Sequence, residues 1–148
     1  MQTNSDSQNI QKYKKRHNAR LLAVQCLYSW QVSHTPLAEA KSTVLLLPEM
    51  ANIDFDDEFF TYLTQTVTVE KNNLDLALAP FIKLGVDSLH PIERAIAWIA
   101  VVELKNQPLS VAPSIIINEA VDLTKELSDA NAHKFMNAVL DSFSKALQ

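Results

Sequence analysis

The chain has 148 residues with one glycine, Gly85, one cysteine, Cys26, and a net charge of −4. Glycine supplies the positive φ of tight hairpin turns and phosphate loops, so this chain is atypical of hairpin-rich β proteins and lacks the G-x-G-x-x-G and G-x-x-x-x-G-K loops that bind nucleotides. One cysteine excludes an internal disulfide and a cysteine-rich zinc site, and a hydrophobic content of 47% indicates a globular chain rather than a disordered one.

The N-terminal segment is the most basic part of the chain. Residues 1–20 hold five basic side chains and one acidic side chain, whereas the remaining residues hold eight basic and sixteen acidic ones. This asymmetry indicates either an arm that binds nucleic acid or another polyanion, or a solvated terminus that aids solubility. Residues 1–11 are predicted to form a disordered tail, and because they lack the apolar core of a signal peptide we expect a cytoplasmic protein.

Apolar residues recur at three- and four-residue steps through most of the chain, which predicts about six helices and no strands. The first helix is predicted to start near Lys15. Thr35 is predicted to cap a second helix that extends to about Leu47, and Asp54 is predicted to cap a third that continues toward Pro80. The acidic residues around Asp54 have the composition of a loop and of an acidic first helical turn, where carboxylates meet the positive end of the helix dipole.

The second half of the chain is punctuated by prolines that suit helix starts. Pro91 opens a helix that is apolar on nearly every side, and this helix is therefore predicted to be central. A loop at residues 107–112 precedes a fifth helix that begins at Pro113. The last helix carries an apolar stripe from Phe135 to Leu147.

The predicted organisation is a single all-α domain over residues 12–148. Its N-terminal sub-bundle is predicted to cover about 15–80 and its C-terminal sub-bundle about 90–147. No apolar run has the length needed to cross a bilayer, so the sequence predicts no membrane span.

The sequence offers no arrangement of residues that points to catalysis or to a metal. Its four histidines are scattered, and none stands at the spacing of a metal-binding motif. Cys26 lies on an apolar helix face and is predicted to be a buried, unreactive thiol. Glu119 and Asp122 are one helical turn apart, as paired carboxylates would be, but both lie off the apolar stripe and are predicted to be solvated or to act as caps. The residues by themselves therefore give weak support for catalysis or for a metal or cofactor site.

Four short blocks of sequence occur in a defined order along the chain. One block alone would be a weak signal, but the four together are specific. They read A-R and A-V-Q-C-L-Y-S-W-Q from Ala19, I-E-R-A-I followed by E-L from Ile92, I-N-E-A-V-D-L-T-K from Ile117, and H-K-F-M-N-A-V-L-D from His133. Through these blocks, which span residues 19–141, the chain resembles the NusB family of bacterial transcription antitermination factors.

The resemblance implies an all-α fold of two roughly perpendicular three-helix bundles that share a core. It implies binding to the boxA element of nascent ribosomal RNA together with a small-subunit ribosomal protein, Nus factor E, and assembly with other Nus factors on RNA polymerase to suppress premature termination. No catalysis is implied, and some relatives form homodimers. Two other functions stay open: a NusB-like protein-interaction scaffold, and a domain associated with an rRNA methyltransferase, although this sequence has no glycine-rich cofactor loop.

The resemblance also assigns candidate binding residues by position. Tyr28 and Glu93 match positions at the interface with the ribosomal protein, and Ser128 and Ala138 stand where relatives commonly have glycine. Phe135 is either an RNA contact or the first residue of the core stripe. The residues implied in RNA binding are Lys14, Lys15, Arg16 and Arg20 in the basic arm and Asn131, Lys134 and Phe135 at the start of the last helix.

Overall fold

A computed structural model describes residues 2–106, 111–129 and 131–147. These residues form six α-helices and two short 3₁₀ turns and contain no strand, so the all-α prediction is confirmed. Most of the loop predicted at 107–112 lies outside the described residues. The helices are α1 (Gln2–Ser33), α2 (Leu37–Val44), α3 (Asp57–Leu78), α4 (Pro91–Lys105), α5 (Pro113–Leu127) and α6 (Ala132–Ala146), and the 3₁₀ turns are Ala79–Phe81 and Val86–Ser88.

Helix α1 begins at Gln2, so the start predicted near Lys15 is wrong, and the backbone is helical through most of the predicted tail. Extending a helix costs less free energy than nucleating one, and no proline or glycine interrupts residues 2–33. The N-terminal turns thus prolong a helix whose buried part begins at Ala19. After the helix ends, His34 adopts a φ of 55°, the left-handed conformation common just beyond a helix C-terminus.

Helix α2 is shorter than its sequence predicts. It has no side-chain cap, so the cap predicted at Thr35 is wrong, and it ends at Val44 rather than near Leu47. Pro36 is itself the residue before the helix, with a ψ of 144° that is extended rather than helical. The helix therefore begins at Leu37, one residue later than the sequence pattern indicates.

The later helix starts depend on one carboxylate and two prolines. Asp56 caps α3, because its Oδ1 accepts a hydrogen bond of 3.0 Å from the backbone nitrogen of Phe59, so the cap predicted at Asp54 is wrong. Pro91 and Pro113 are the first residues of α4 and α5, as predicted. Proline suits this position because its fixed φ is helical and no hydrogen bond is lost.

The chain divides into two compact units, Met1–Thr64 and Gln65–Gln148. The division falls inside α3 and not in the irregular segment before Pro91. The sub-bundle limits of about 15–80 and 90–147 therefore remain a prediction.

In the first unit, α1 packs against α2 and buries a core of small and branched side chains. Cys26 lies in this core, and its burial raises the pKa of the thiol to about 12, although the charge of Lys41 acts in the opposite direction. The prediction of a buried thiol is confirmed, and a thiol with this pKa is not ionised near neutral pH. The core comprises Ala19, Leu22, Ala23, Val24, Cys26, Leu27, Ala40, Val44, Met50, Phe60 and Leu63.

In the second unit, α4 is the most deeply buried helix, as its apolar sequence predicts, and it packs against both α5 and α6. Its residues 95–102 are all buried. The buried face of α6 begins at Met136 and continues through Val139, Leu140 and Phe143, so Phe135 lies outside it.

Glu119 of α5 is buried, with 2% of its surface exposed, so the prediction that it is solvated is wrong. Helical geometry accounts for its burial, since it lies three residues after Ile116 and four residues before Leu123, and both of these are buried. Asp122 is exposed, as predicted. The two carboxylates therefore lie in different environments, and they do not form a shared acid–base site.

Asp75 on α3 accepts hydrogen bonds from three side chains within the second unit. Arg94 Nη2 donates at 2.7 Å, Trp98 Nε1 at 2.7 Å and Lys71 Nζ at 3.1 Å. Burial raises the pKa of Asp75, but these donors together lower it by more, so the pKa lies below the ordinary 3.8. The ionised carboxylate thus links α3 to α4.

Candidate nucleic-acid interface

The basic residues of α1 differ in how much surface they offer to a ligand. Lys14 is exposed, and the side chains of Lys15 and Arg16 are 45% and 36% exposed. Arg20, one turn further along the helix, is 5% exposed. Lys14, Lys15 and Arg16 therefore present more charged surface to solvent than Arg20 does.

A segment that precedes α3, residues 52–56, lies against the basic part of α1. The backbone nitrogen of Asp56 donates a hydrogen bond of 3.1 Å to the carbonyl oxygen of Lys15. Asn18 Nδ2 donates a hydrogen bond of 2.9 Å to the carbonyl oxygen of Asp54. These bonds use backbone atoms of the segment, so its position beside α1 does not depend on its carboxylates.

The carboxylates of the same segment face two of the basic side chains. Lys15 Nζ lies 3.8 Å from Asp54 Oδ2, and Arg16 Nε lies 3.8 Å from Asp56 Oδ2. Both distances exceed hydrogen-bond length, so the contacts are ionic. The acidic residues do provide a loop and the acidic first turn of α3, as predicted. Their pairing with α1 joins residues that are far apart in sequence, and no local pattern indicated it.

Phe59 on the first turn of α3 supports both arginines of α1. The guanidinium carbons of Arg16 and Arg20 each lie 5.0 Å from the centre of its ring. An aromatic ring at this distance attracts a cation and favours a fixed guanidinium position. Arg20 is also buried, so it offers less surface to a ligand than Arg16 does, and its role as a phosphate contact stays a prediction.

Two grooves flank Lys15. One is lined by Lys14, Lys15 and Asn18 of α1 together with residues 52–54. The other is lined on the α1 side by Gln8, Gln11, Lys12 and Lys15 and on the opposite side by Phe55 and Asp56. Lys12 is thus a cation of this surface that the sequence-based assignment did not include, although the basic run of α1 already contained it.

The start of α6, which belongs to the second unit, is the other candidate surface. Asn131, Lys134 and Phe135 are exposed and stand at three- and four-residue steps, so they share one helix face. The backbone nitrogen of Asn131 donates a hydrogen bond of 3.2 Å to the Asp129 carboxylate. Phe135 is 41% exposed, and the core stripe begins after it, which favours its prediction as a contact residue over its prediction as a core residue.

The two residues predicted to contact a protein partner lie in different units. Tyr28 on α1 is 36% exposed. Glu93 on the first turn of α4 is partly exposed, and its Oε2 accepts a hydrogen bond of 2.7 Å from the Ser128 hydroxyl. In the described residues, no group of three or more histidine, cysteine or acidic side chains is placed to hold a metal ion.

Comparisons with known sequences identify the same family along most of the chain. The sequence model of the NusB family matches residues 17–145. The transcription antitermination protein NusB of Colwellia psychrerythraea is 36% identical over 137 residues, which cover 93% of this chain and 97% of that protein. The corresponding protein of Shewanella pealeana is 38% identical over 133 residues, covering 88% of this chain and 94% of that protein.

Comparisons of structure agree with those of sequence. The fold is similar to that in a crystal structure of antitermination factors NusB and NusE in complex with dsRNA, with a TM-score of 0.74, 29% identity, and coverage of 88% of this chain and 96% of that one. NusB of T. maritima has the same fold, with a TM-score of 0.73, 19% identity, and coverage of 88% of this chain and 90% of that one.

Proposed function

Because the chain belongs to the NusB family, we propose that it binds RNA and acts in transcription antitermination. The RNA element is boxA of nascent ribosomal RNA, and binding prevents premature termination by RNA polymerase. As a member of a family of non-catalytic factors, the chain is not an enzyme. The curated relatives, which it matches along 97% and 94% of their length, are antitermination proteins, and this favours antitermination over the scaffold and methyltransferase-associated alternatives.

The observation that carries the proposal is the exposed basic surface of α1 beside its two grooves. Lys14, Lys15 and Arg16 present cations along one stretch of helix, and Arg16 is held over the Phe59 ring. Such side chains bind phosphates without reading sequence, and they give binding a strong dependence on salt. We assign phosphate binding to these three residues and a supporting role to Arg20.

Recognition of bases is assigned to the start of α6. Single-stranded RNA is read by stacking of bases on aromatic rings and by hydrogen bonds to base edges. The exposed ring of Phe135 suits stacking, and the amide of Asn131 suits hydrogen bonding to a base edge. Lys134 stands beside them as a further phosphate contact.

The proposed protein partner is a small-subunit ribosomal protein that acts as Nus factor E. A similar NusB chain is seen in complex with NusE and dsRNA, and this supports a ternary assembly for the present chain. We assign Tyr28 and Glu93 to that interface, and other Nus factors and RNA polymerase to the larger complex. Homodimerisation of the free chain stays a prediction.

We place the protein in the cytoplasm, where nascent RNA and the ribosomal partner are found in bacteria. None of the helices in the described residues combines the length and apolar character of a membrane span. No cofactor is proposed for its action.

The experiment is a titration of single-stranded RNA that contains boxA, with and without the ribosomal partner, over a series of salt concentrations. We expect weak binding by the chain alone, tighter binding with the partner, and a loss of affinity as salt rises. Replacing Lys14, Lys15 and Arg16 with alanine should weaken binding and lower the salt slope by about one per lost phosphate contact. Equal affinity for boxA and for scrambled RNA in the presence of the partner would remove the sequence-specific function.

A matched control removes the same number of charges elsewhere. Lys83, Lys105 and Lys145 are exposed, and all three lie outside the basic segment of α1. Their replacement with alanine should leave the salt slope nearly unchanged. If this variant loses as much affinity as the α1 variant, the basic surface of α1 is not the phosphate contact.

A further inference from the structure

Two of the three exposed cations proposed to bind RNA phosphate already face a carboxylate of their own chain. Asp54 faces Lys15, and Asp56 faces Arg16, each at 3.8 Å. Lys14 takes part in neither of these two ion pairs, but it lines the same groove as Asp54. The acidic segment therefore occupies the place beside the α1 cations to which an RNA phosphate would come.

The ion pairs are weak enough to be exchanged. The Asp54 side chain is 77% exposed, so water and salt screen its attraction for Lys15. The Arg16 Nε has no hydrogen-bond partner, since Asp56 is too distant to accept from it, and 36% of the Arg16 side chain stays exposed to a ligand. A phosphate oxygen that approached more closely would satisfy these cations better than the carboxylates do, because charge-assisted hydrogen bonds are shorter and stronger.

The position of the acidic segment does not depend on its charge. It is attached to α1 by the hydrogen bond from the Asp56 backbone nitrogen to Lys15 and by the bond from Asn18 to the Asp54 carbonyl. The Asp56 side chain also caps α3 through Phe59, and asparagine caps a helix about as well as aspartate does. Charge can therefore be removed from both positions while the segment stays beside α1.

From this geometry we propose that Asp54 and Asp56 determine the RNA affinity of the chain by competing with RNA phosphate for Lys15 and Arg16. The inference rests on the proposed RNA-binding function and deepens it by naming an internal competitor of the RNA. Each phosphate contact at these two cations replaces an existing ion pair rather than a solvated charge. RNA binding at low salt is thus weaker than the number of exposed cations alone would predict.

The proposed competition implies a particular dependence of RNA binding on salt. Rising salt screens the internal ion pairs as well as the contacts with RNA. The acidic segment therefore weakens RNA binding most at low salt and little at high salt. Removing its two charges should tighten binding at low salt and make the salt slope steeper.

The test compares the unaltered chain with a variant that carries Asp54→Asn and Asp56→Asn, using the boxA RNA and the ribosomal partner. Because the two ion pairs are at least partly exposed, removing them should raise RNA affinity by about 3- to 10-fold at low salt. The difference in affinity should shrink as salt rises, because a shorter Debye length screens the ion pairs more strongly. Circular dichroism and thermal melting should be used to check that the variant is folded.

A control variant with Glu49→Gln and Asp57→Asn removes the same charge from the same part of the chain. Glu49 is exposed, and Asp57 pairs with Lys41 of α2 at 2.7 Å rather than with α1. We expect this variant to change RNA affinity by less than about twofold, because its charges do not face the α1 cations. If the control tightens binding as much as the test variant, the effect is one of net charge and the proposal is wrong.

The two proposals fail in different ways. If alanine at Lys15 and Arg16 weakens RNA binding but asparagine at Asp54 and Asp56 leaves it unchanged or weakens it, the carboxylates are not competitors and the RNA-binding function stands. If the unaltered chain and its partner bind boxA no better than scrambled RNA, the sequence-specific function itself fails, and the competition proposed for it fails with it.

Discussion

The hydroxyl of Ser128 donates a hydrogen bond of 2.7 Å to the Glu93 carboxylate. This bond connects the residue that follows α5 with the first turn of α4. Ser128 occupies a position where the family resemblance places a glycine, yet its φ of −129° and ψ of −169° are extended angles that any residue adopts. The backbone therefore does not require glycine here, and serine adds a bond that orients a residue assigned to the protein partner.

Replacing Ser128 with alanine should weaken binding of the ribosomal partner. The loss of one hydrogen bond frees the Glu93 side chain, and a net contribution of about 1 kcal/mol corresponds to about fivefold in affinity. Isothermal titration with the purified partner measures this change. Ser114→Ala, at an exposed position of α5, is the control and should have no effect. An unchanged partner affinity together with a lower melting temperature would limit the Ser128 bond to a structural role.

Replacing Asp75 with asparagine should lower stability at neutral pH and flatten the acid dependence of unfolding. Because the folded-state pKa of Asp75 lies below the ordinary 3.8, its contribution is present above that value and is lost as the pH falls through the folded-state value. The neutral variant leaves Arg94 without this carboxylate, and we expect a loss of about 2 kcal/mol in the free energy of unfolding at pH 7.

Urea denaturation at neutral pH and at about pH 3 measures both effects of the Asp75 variant. Asp122→Asn is the control, since Asp122 is exposed on α5. We expect the difference in the free energy of unfolding between the Asp75 variant and the unaltered chain to be smaller at the lower pH. A constant gap at both pH values would show that the ionised form of Asp75 is not what stabilises the fold.

Arg16 and Arg20 should respond differently to replacement with alanine, although both contact the Phe59 ring. Arg16 is 36% exposed and is assigned to phosphate, so its loss should reduce the salt slope of RNA binding by about one. Arg20 is 5% exposed, so its loss should cost about 1–2 kcal/mol of stability through lost packing and leave the slope unchanged. A salt titration of RNA binding and a thermal melt of each variant provide the comparison. A reduced slope for the Arg20 variant would restore Arg20 as a phosphate contact.

Replacing Phe135 with alanine should weaken RNA binding by about tenfold with little loss of stability. Stacking of a base on an aromatic side chain contributes about 1–3 kcal/mol, and the Phe135 ring is 41% exposed. Ile115→Ala, at a position that is 44% exposed on α5, is the matched control and should leave RNA affinity unchanged. Fluorescence anisotropy with labelled boxA RNA measures the affinities. A large fall in melting temperature without a change in RNA affinity would show that Phe135 contributes to the stability of the fold and not to RNA binding.

Much of the fold follows from local patterns in the sequence. Pro91 and Pro113 mark two helix starts because proline lacks the donor that a first turn does not use. The helix caps were less predictable, since Asp54 and Asp56 are both acceptable caps and only the backbone path before α3 selects the second. The beginning of α1 was also missed, because polar residues do not reveal whether an existing helix extends through them.

The candidate site could be predicted in composition but not in geometry. The basic run and the four family blocks indicate candidate RNA-binding residues. They do not indicate that Arg20 is buried against Phe59, or that Glu119 lies inside the second unit. Burial of a charged residue depends on which neighbouring helix covers it, and a periodic pattern along one helix does not contain that information.

By itself, the sequence determined the helical class, the family and the identity of the charged residues, because these depend on periodicity, composition and short blocks that are read locally. Only the tertiary structure decided how the charges are used. It places Asp54 beside Lys15 and Asp56 beside Arg16, and these contacts are the basis of the competition proposed between the carboxylates and RNA phosphate. The physical reason is that Coulombic attraction acts through distance in space, and folding brings within 4 Å groups that the chain separates by many residues.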